Sequence, residues 1–321
     1  MTRVAVLDDW QGVAEESADW TALRARAEVV VFHHAFADED DAARHLTGFD
    51  VVMAMRERTA FPASLVRRLP ALRLFSQTGA RARTVDVAAL RAQGVTVTAT
   101  RGSGPGTATA ELALGLMLGA LRHLPRADAT VRAGGFQDGV PAGEEAHGKT
   151  LGVIGLGHLG TAMARYGQAL GMTVAAWSQN LTAERAAEVG VAFLPKEELL
   201  AGSDVVSLHL VLSERTRGII GAGDIARMRP GALLVNTSRG PLVDEAALVA
   251  ALEAGRIRAA LDVYDREPLP PGHPLLTAPN TVLSPHLGYC TVATYRDFYR
   301  QGIENVLAFL DGRPIRVLDG A

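Results

Sequence analysis

The chain has 321 residues, 48% of them apolar; single hydrophobic cores seldom grow past roughly 250 residues, so two lobes are expected. Its formal net charge of −3, with both signs interspersed, argues against nucleic acid or a membrane surface as partner, since either would need a concentrated positive field. One cysteine, Cys290, excludes an intramolecular disulfide and a Cys-rich metal site; it predicts a reducing, cytoplasmic setting, no metal centre, and a thiol that is buried and inert.

The opening MTRVAVLDDW carries an apolar run too short for the core of a signal peptide, and a first strand is predicted over Val4–Leu7. Further short runs at Glu28–Phe32, Val51–Met55, Leu72–Ser76 and Val95–Thr98 alternate with helical patterns, which points to an α/β lobe with a parallel sheet covered by helices. The segment RGSGPGTATAEL, Arg101 to Leu112, breaks regular structure with its glycines and proline before a long helix begins near Thr109. Within that helix LALGLMLGALRHLP, Leu112 to Pro125, places Arg122 and His123 in the last turn; it falls short of the apolar length a membrane span needs and reads as buried. A second α/β series follows, with strands at Leu151–Gly155, Thr173–Trp177, Val205–His209, Ala232–Thr237, Arg258–Asp262 and Thr281–Ser284. Helical periodicity over Thr291–Leu310, with Val292, Phe298, Val306 and Phe309 at apolar positions, and a short strand over Ile315–Val317 are expected to return to the first lobe and make it discontinuous.

Between Leu151 and Trp177 the second series holds a strand, a glycine turn, a helix and a second strand. The turn reads Gly155-Leu156-Gly157-His158-Leu159-Gly160. In this arrangement the first glycine permits the tight turn, the second lets backbone approach a pyrophosphate, and the third lets helix and strand pack closely. The helix N-terminus adds unpaired N–H groups and the positive end of its dipole, so dinucleotide binding is predicted. At the end of the second strand, where an aspartate would hold the ribose hydroxyls, stand Ser178, Gln179 and Asn180. No carboxylate there repels a 2′-phosphate and no arginine in the triplet attracts one, so the expectation is NAD with NADP tolerated.

Beyond the fingerprint lie NTSRGPLVDEAAL (Asn236 to Leu248), LDVYDREPLP (Leu261 to Pro270) and SPHLGY (Ser284 to Tyr289). With it, and with AEL at Ala110–Leu112, they resemble the D-2-hydroxyacid dehydrogenase family over nearly the whole chain. The resemblance implies an α/β fold of two Rossmann-like doubly wound domains. A nucleotide-binding domain, residues 101–287, would be inserted into a discontinuous flavodoxin-like substrate domain, residues 1–100 and 288–321. It also implies a homodimer made largely by the nucleotide domains. In that family the arginine after TS, the glutamate before the proline of EP and the histidine of PH form the catalytic group, here Arg239, Glu267 and His286.

Reducing the ketone of a 2-keto acid takes a hydride on carbon and a proton on oxygen, and histidine is the side chain suited to giving and retaking that proton near neutrality. A carboxylate on its other ring nitrogen fixes the ring and favours the protonated form. An arginine fork can hold the substrate carboxylate and polarise the carbonyl. By resemblance, Thr237, Ser238, Asp262 and Gly288 also meet the cofactor, with Thr237 and Asp262 on its nicotinamide side. His209 and Leu210 lie where the chain passes the adenosine, although Val211 stands where the family commonly has proline.

The family seats the substrate carboxylate on backbone N–H groups that align with Thr78, Gly79 and Ala80, and Ala82 replaces an asparagine frequent in related chains. Arginines are frequent on nearby loops, namely Arg56, Arg58, Arg81, Arg83 and Arg101. Arg56 and Arg81 in particular are expected to bind a second anionic group of the substrate. The predicted partner is thus a small 2-keto or 2-hydroxy acid. The alternative is a dinucleotide-sensing protein like the corepressors related to this family, which act through protein partners. Formate dehydrogenase shares the architecture but carries glutamine where Glu267 stands.

Overall fold

Valine- and alanine-rich runs too short for helices form the strands of two parallel sheets. The computed structural model describes residues 1–79, 84–102 and 106–318. The chain divides into two units, Met1–Pro105 with Thr291–Ala321, and Gly106–Cys290.

In the first unit β1 (Thr2–Val6), β2 (Ala27–Val31), β3 (Val51–Ala54), β4 (Leu74–Gln77) and β5 (Thr96–Ala99) make a parallel sheet of order β2-β1-β3-β4-β5. β3 and β4 are buried at every position, as strands covered by helices on both faces must be. The winding reverses beside β1, so the loops after β1 and β3 flank a topological switch point, the usual ligand position in open α/β sheets. Phe61 and Phe75 meet edge to face at 4.7 Å in the core, with Leu65 and Leu90 fully buried beside them.

The helix Val292–Leu310 belongs to this unit. Thr291 caps it by accepting from the Thr294 N–H, and Tyr295, Phe298, Tyr299, Ile303 and Val306 form its buried stripe. Its two buried amides are satisfied by backbone and side chain: Gln301 accepts from Arg101 N–H at 2.9 Å and donates to Arg101 C=O at 2.6 Å, while Asn305 bonds Ser76 and Ala99. Val292, one of the apolar positions of the periodicity, is 67% exposed at the helix start. The strand expected over Ile315–Val317 reduces to a single antiparallel bridge, Thr98 to Val317, because Arg316 has a left-handed φ of 51° that interrupts extended backbone.

In the second unit β6 (Thr150–Ile154), β7 (Thr173–Trp177), β8 (Ala192–Phe193), β9 (Val205–Leu208), β10 (Leu233–Asn236), β11 (Arg258–Leu261) and β12 (Thr281–Leu283) form a parallel sheet of order β12-β11-β10-β9-β6-β7-β8. Counted from β6 this is the doubly wound dinucleotide-binding order with one further strand at its edge. β8 is too short to show a period in the sequence, and both its residues are exposed. Gly155, His209, Thr237, Asp262 and Ser284, expected as last strand residues, lie just past the strand ends. For Gly155 the reason is a φ of 100°, which leaves extended geometry.

The helix Ala108–Leu121 buries Ala110, Ala113, Met117 and Leu121, as expected. Arg122 and His123, expected in its last turn, instead form the break after it. Arg122 is the C-cap, and His123, left-handed at φ 51°, caps a second helix, Leu124–Arg132, whose first turn holds Pro125. A proline is tolerated there and not in a helix interior. No helix among the described residues is long and apolar enough to cross a membrane.

Candidate active site

The glycine turn after β6 does what each residue's lack of a side chain allows. A Cβ on Gly155 would lie 2.7 Å from the His209 carbonyl oxygen, and one on Gly160 only 1.8 Å from the Gly155 oxygen, so strand, turn and helix touch backbone to backbone. At Gly157 a Cβ would meet nothing within 4 Å, and that side of the turn is open. The helix His158–Ala169 starts there with Gly157, which has no side chain to cap it, at its N-cap, His158 exposed and Leu159 half-buried. A diphosphate fits this cradle, because the N-terminal end of a helix and open space beside Gly157 coincide there.

After β7, Ser178 is half-buried, and Gln179 and Asn180 are exposed. Gln179 donates to the Arg215 carbonyl at 3.1 Å, and the Arg215 guanidinium donates to Asn180 Oδ1 at 3.4 Å. After β9, His209 Nε2 lies 2.9 Å from Ser207 Oγ, while its Nδ1 is buried without a partner among the described residues. Burial pushes the ring's pKa down to about 4, which keeps it neutral near pH 7. Leu210 packs over Gly155, and Val211, lacking the family's proline, is 74% exposed.

The loops after β10, β11 and β12 are each held by side-chain hydrogen bonds to backbone. Asn236 holds the first loop from both ends of its amide, donating to the Arg239 carbonyl at 2.9 Å and accepting from Ser238 N–H at 3.0 Å. Ser238 Oγ donates to Leu208 C=O at 2.7 Å, whereas Thr237 Oγ1 is buried with no partner among the described residues. Arg239 is half-buried and donates to the Ser238 carbonyl at 2.6 Å. A Cβ on Gly240 would lie 2.1 Å from the Tyr264 carbonyl carbon, so only glycine seats this loop on the Tyr264-Asp265 backbone.

That backbone leads directly to Glu267. Its Oε1 accepts from Tyr264 N–H at 2.9 Å and its Oε2 lies 2.5 Å from His286 Nδ1. The two side chains keep 27% (His286) and 29% (Glu267) of their surface exposed, so the pair is open at one side. His286 itself is left-handed, φ 56°. Its loop is clamped by Asp262, whose buried carboxylate accepts from Ser284 Oγ (2.6 Å), Leu287 N–H (2.8 Å) and Gly288 N–H (2.9 Å). Burial raises the Asp262 pKa, and these hydrogen bonds oppose the rise. Gly288 accepts from Thr109 Oγ1 at 2.9 Å, which ties the loop to the start of the helix Ala108–Leu121. Cys290, expected to be buried, is half-buried, and its thiol donates to the His286 carbonyl at 3.6 Å.

In the first unit Arg56 and Thr78 meet. Arg56 is left-handed, φ 53°, and its N–H donates to Thr78 Oγ1 at 2.8 Å. Gly79 lies under the Arg56 guanidinium, where a Cβ would be 1.8 Å from Nη1. The two N–H groups expected to meet a substrate carboxylate, those of Thr78 and Gly79, both have partners within the unit. Thr78 N–H donates to Ala54 C=O at 3.0 Å and Gly79 N–H to Thr100 Oγ1 at 3.1 Å, so strand ends already use both. Ala80, Arg81, Ala82 and Arg83 lie outside the described residues. Arg58 is built into this unit, donating to Asp8 C=O at 2.6 Å and lying 4.5 Å over the Trp10 ring. Arg101 is exposed.

The sequence pattern of the family described as D-isomer specific 2-hydroxyacid dehydrogenase, NAD binding domain, matches residues 114–288, and the chain belongs to this family. Its fold is accordingly that of an NAD-binding oxidoreductase. It is 35% identical to the D-3-phosphoglycerate dehydrogenase of Archaeoglobus fulgidus over 278 residues, 86% of this chain and 52% of that one. It is 38% identical to the glyoxylate reductase of Aeropyrum pernix over 257 residues, 78% of this chain and 76% of the relative. The chain thus spans about half the length of the phosphoglycerate dehydrogenases it matches. Among solved structures, a phosphoglycerate oxidoreductase from Vibrio cholerae superposes with a TM-score of 0.92 at 37% identity, covering 97% of this chain and 100% of that one.

Proposed function

We propose that the chain catalyses the reversible, NAD-dependent reduction of a 2-keto acid to a D-2-hydroxy acid. The observation that carries this reading is the 2.5 Å pairing of His286 Nδ1 with Glu267 Oε2 beside the strand ends of an NAD-binding sheet. NADH, when bound, would supply the hydride that the keto carbon takes. His286 gives a proton from its other ring nitrogen to the keto oxygen, and takes it back in the oxidative direction. Glu267, held by Tyr264 N–H, keeps the ring oriented through its bond to Nδ1. Arg239 binds the substrate carboxylate and polarises the carbonyl.

The loop from Gly155 through Gly157, His158, Leu159 and Gly160 holds the pyrophosphate. Ser178, Gln179, Asn180, His209 and Leu210 surround the adenosine, and Thr237, Ser238, Asp262 and Gly288 the nicotinamide end. The buried, unpartnered hydroxyl of Thr237 supports that placement. Residues 101–287 act as the cofactor domain and 1–100 with 288–321 as the substrate domain of a cytoplasmic homodimer. The relatives are named for phosphoglycerate and for glyoxylate, and Arg56 is the residue proposed to meet a second anionic group.

The test follows NADH absorbance with a panel of 2-keto acids bearing one or two anionic groups. Turnover that disappears in His286→Ala is the expected result. NADH binding without turnover of any acid would overturn the reading.

A further inference from the structure

The triplet after β7 carries no charge in sequence, yet the fold delivers one to it. Arg215 lies 35 residues beyond Asn180, in the turn that follows β9, and its guanidinium donates to Asn180 Oδ1 at 3.4 Å. Gln179 fixes the same residue from the other end by donating to its carbonyl at 3.1 Å. The turn that presents Arg215 is rigidly bonded. Ser213 N–H donates to Thr216 Oγ1 at 2.7 Å, Thr216 Oγ1 donates to Val211 C=O at 2.8 Å, and Arg217 N–H donates to Ser213 C=O at 2.9 Å. Thr216 is 8% exposed and anchors the turn, while Arg215 itself is exposed. One long bond occupies one of the five N–H donors of a guanidinium, which are arranged to grip a phosphate as a fork.

We propose that Arg215, with Ser178, Gln179 and Asn180, binds a phosphate monoester on the 2′-oxygen of the adenosine ribose, so that this chain accepts NADP as well as NAD. The inference rests on the cofactor site proposed above and assigns its discrimination to a residue outside the fingerprint. Its physical basis has two parts. The carboxylate that would repel a 2′-phosphate is absent from residues 178–180, and Arg215 of the neighbouring turn is held there by two bonds, its guanidinium to Asn180 and its backbone carbonyl to Gln179. Because Arg215 is exposed, the attraction is modest, worth roughly 5- to 10-fold in affinity, and it weakens with salt.

The experiment is calorimetric titration of the whole chain with 2′,5′-ADP and with 5′-AMP, nucleotides that differ only in the 2′-phosphate and need no catalysis. The expected result is roughly 5- to 10-fold tighter binding of 2′,5′-ADP at low salt, with the ratio of affinities falling towards one in Arg215→Ala and largely kept in Arg215→Lys. Asn180→Asp, which sets a carboxylate against the phosphate and against Arg215, should bring 2′,5′-ADP below 5′-AMP. Equal affinities in the unaltered chain, or an advantage that survives Arg215→Ala, would overturn the assignment while leaving the cofactor site intact. Failure of both nucleotides to bind would overturn it together with that site.

Discussion

His286 occupies a left-handed backbone conformation that costs a residue with a Cβ about 1 to 2 kcal/mol, and the Asp262 clamp is what holds it there. The cost is local and the compensation is buried, which fits a side chain whose position matters more than the stability of its own loop. Arg239 is the residue whose proposed role is most exposed to a single measurement. Removing one preorganised donor at a reacting oxygen typically costs about 3 to 4 kcal/mol, so Arg239→Ala should lower kcat at least ~100-fold in steady-state assays. Asp8 carries the clearest pH prediction. Burial, opposed by the Thr59 hydrogen bonds and Arg58, raises its pKa from 3.8 to about 6. The folded state therefore holds the Asp8 proton more tightly than the unfolded chain does. The stability this gives is fully present below pH 3.8, declines through the interval and is lost above about 6. Asp8→Asn should accordingly stabilise the protein near pH 7.5, by at most ~3 kcal/mol, and the gain should vanish by about pH 4. Denaturant melts at the two pH values check it; equal gains at both would refute it.

At the scale of elements, the loops after β10, β11 and β12 form a lattice in which each is fastened by the next. Gly240 is the point where the lattice has no slack, because its neighbours are backbone atoms of Tyr264 and Asp265 and no rotamer change can make room. Gly240→Ala should separate the Arg239 loop from the Glu267 segment and destabilise by roughly 1 to 3 kcal/mol, the usual cost of overpacking. Turnover should fall further than stability, which a melting curve and a rate measured on the same preparation would separate. A variant with unaltered kcat would show that this contact positions nothing. The same glycine was legible in the sequence only as part of a motif; what it approaches was not, since Tyr264 lies on another loop.

For the whole molecule, binding energy from the cofactor adds to folding energy only in the state that binds it. At a free NADH concentration of about 100 times Kd the linkage is worth about 2.7 kcal/mol, so NADH should raise the transition of the Gly106–Cys290 unit in a thermal scan. No shift at such an excess would count against the nucleotide cradle.

The sequence alone determined the alternation of strands and helices, the glycine turn of Gly155, Gly157 and Gly160, and the choice of Arg239, Glu267 and His286 as candidates. All of these depend on neighbours along the chain, through periodicity, steric permission or a local motif. It placed Arg316 in a strand and His123 in a helix because a left-handed residue leaves no reliable local mark when it is not glycine. Only the tertiary structure decided which hydrogen-bonding groups remain for a ligand. Thr78 and Gly79 lost their N–H groups to Ala54 and Thr100, Asp262 turned its carboxylate to the His286 loop, and Arg215 crossed 35 positions to reach Asn180. The reason is that parallel strands bring residues distant in sequence together at one edge of a sheet, where each donor is taken by whichever acceptor folding puts beside it.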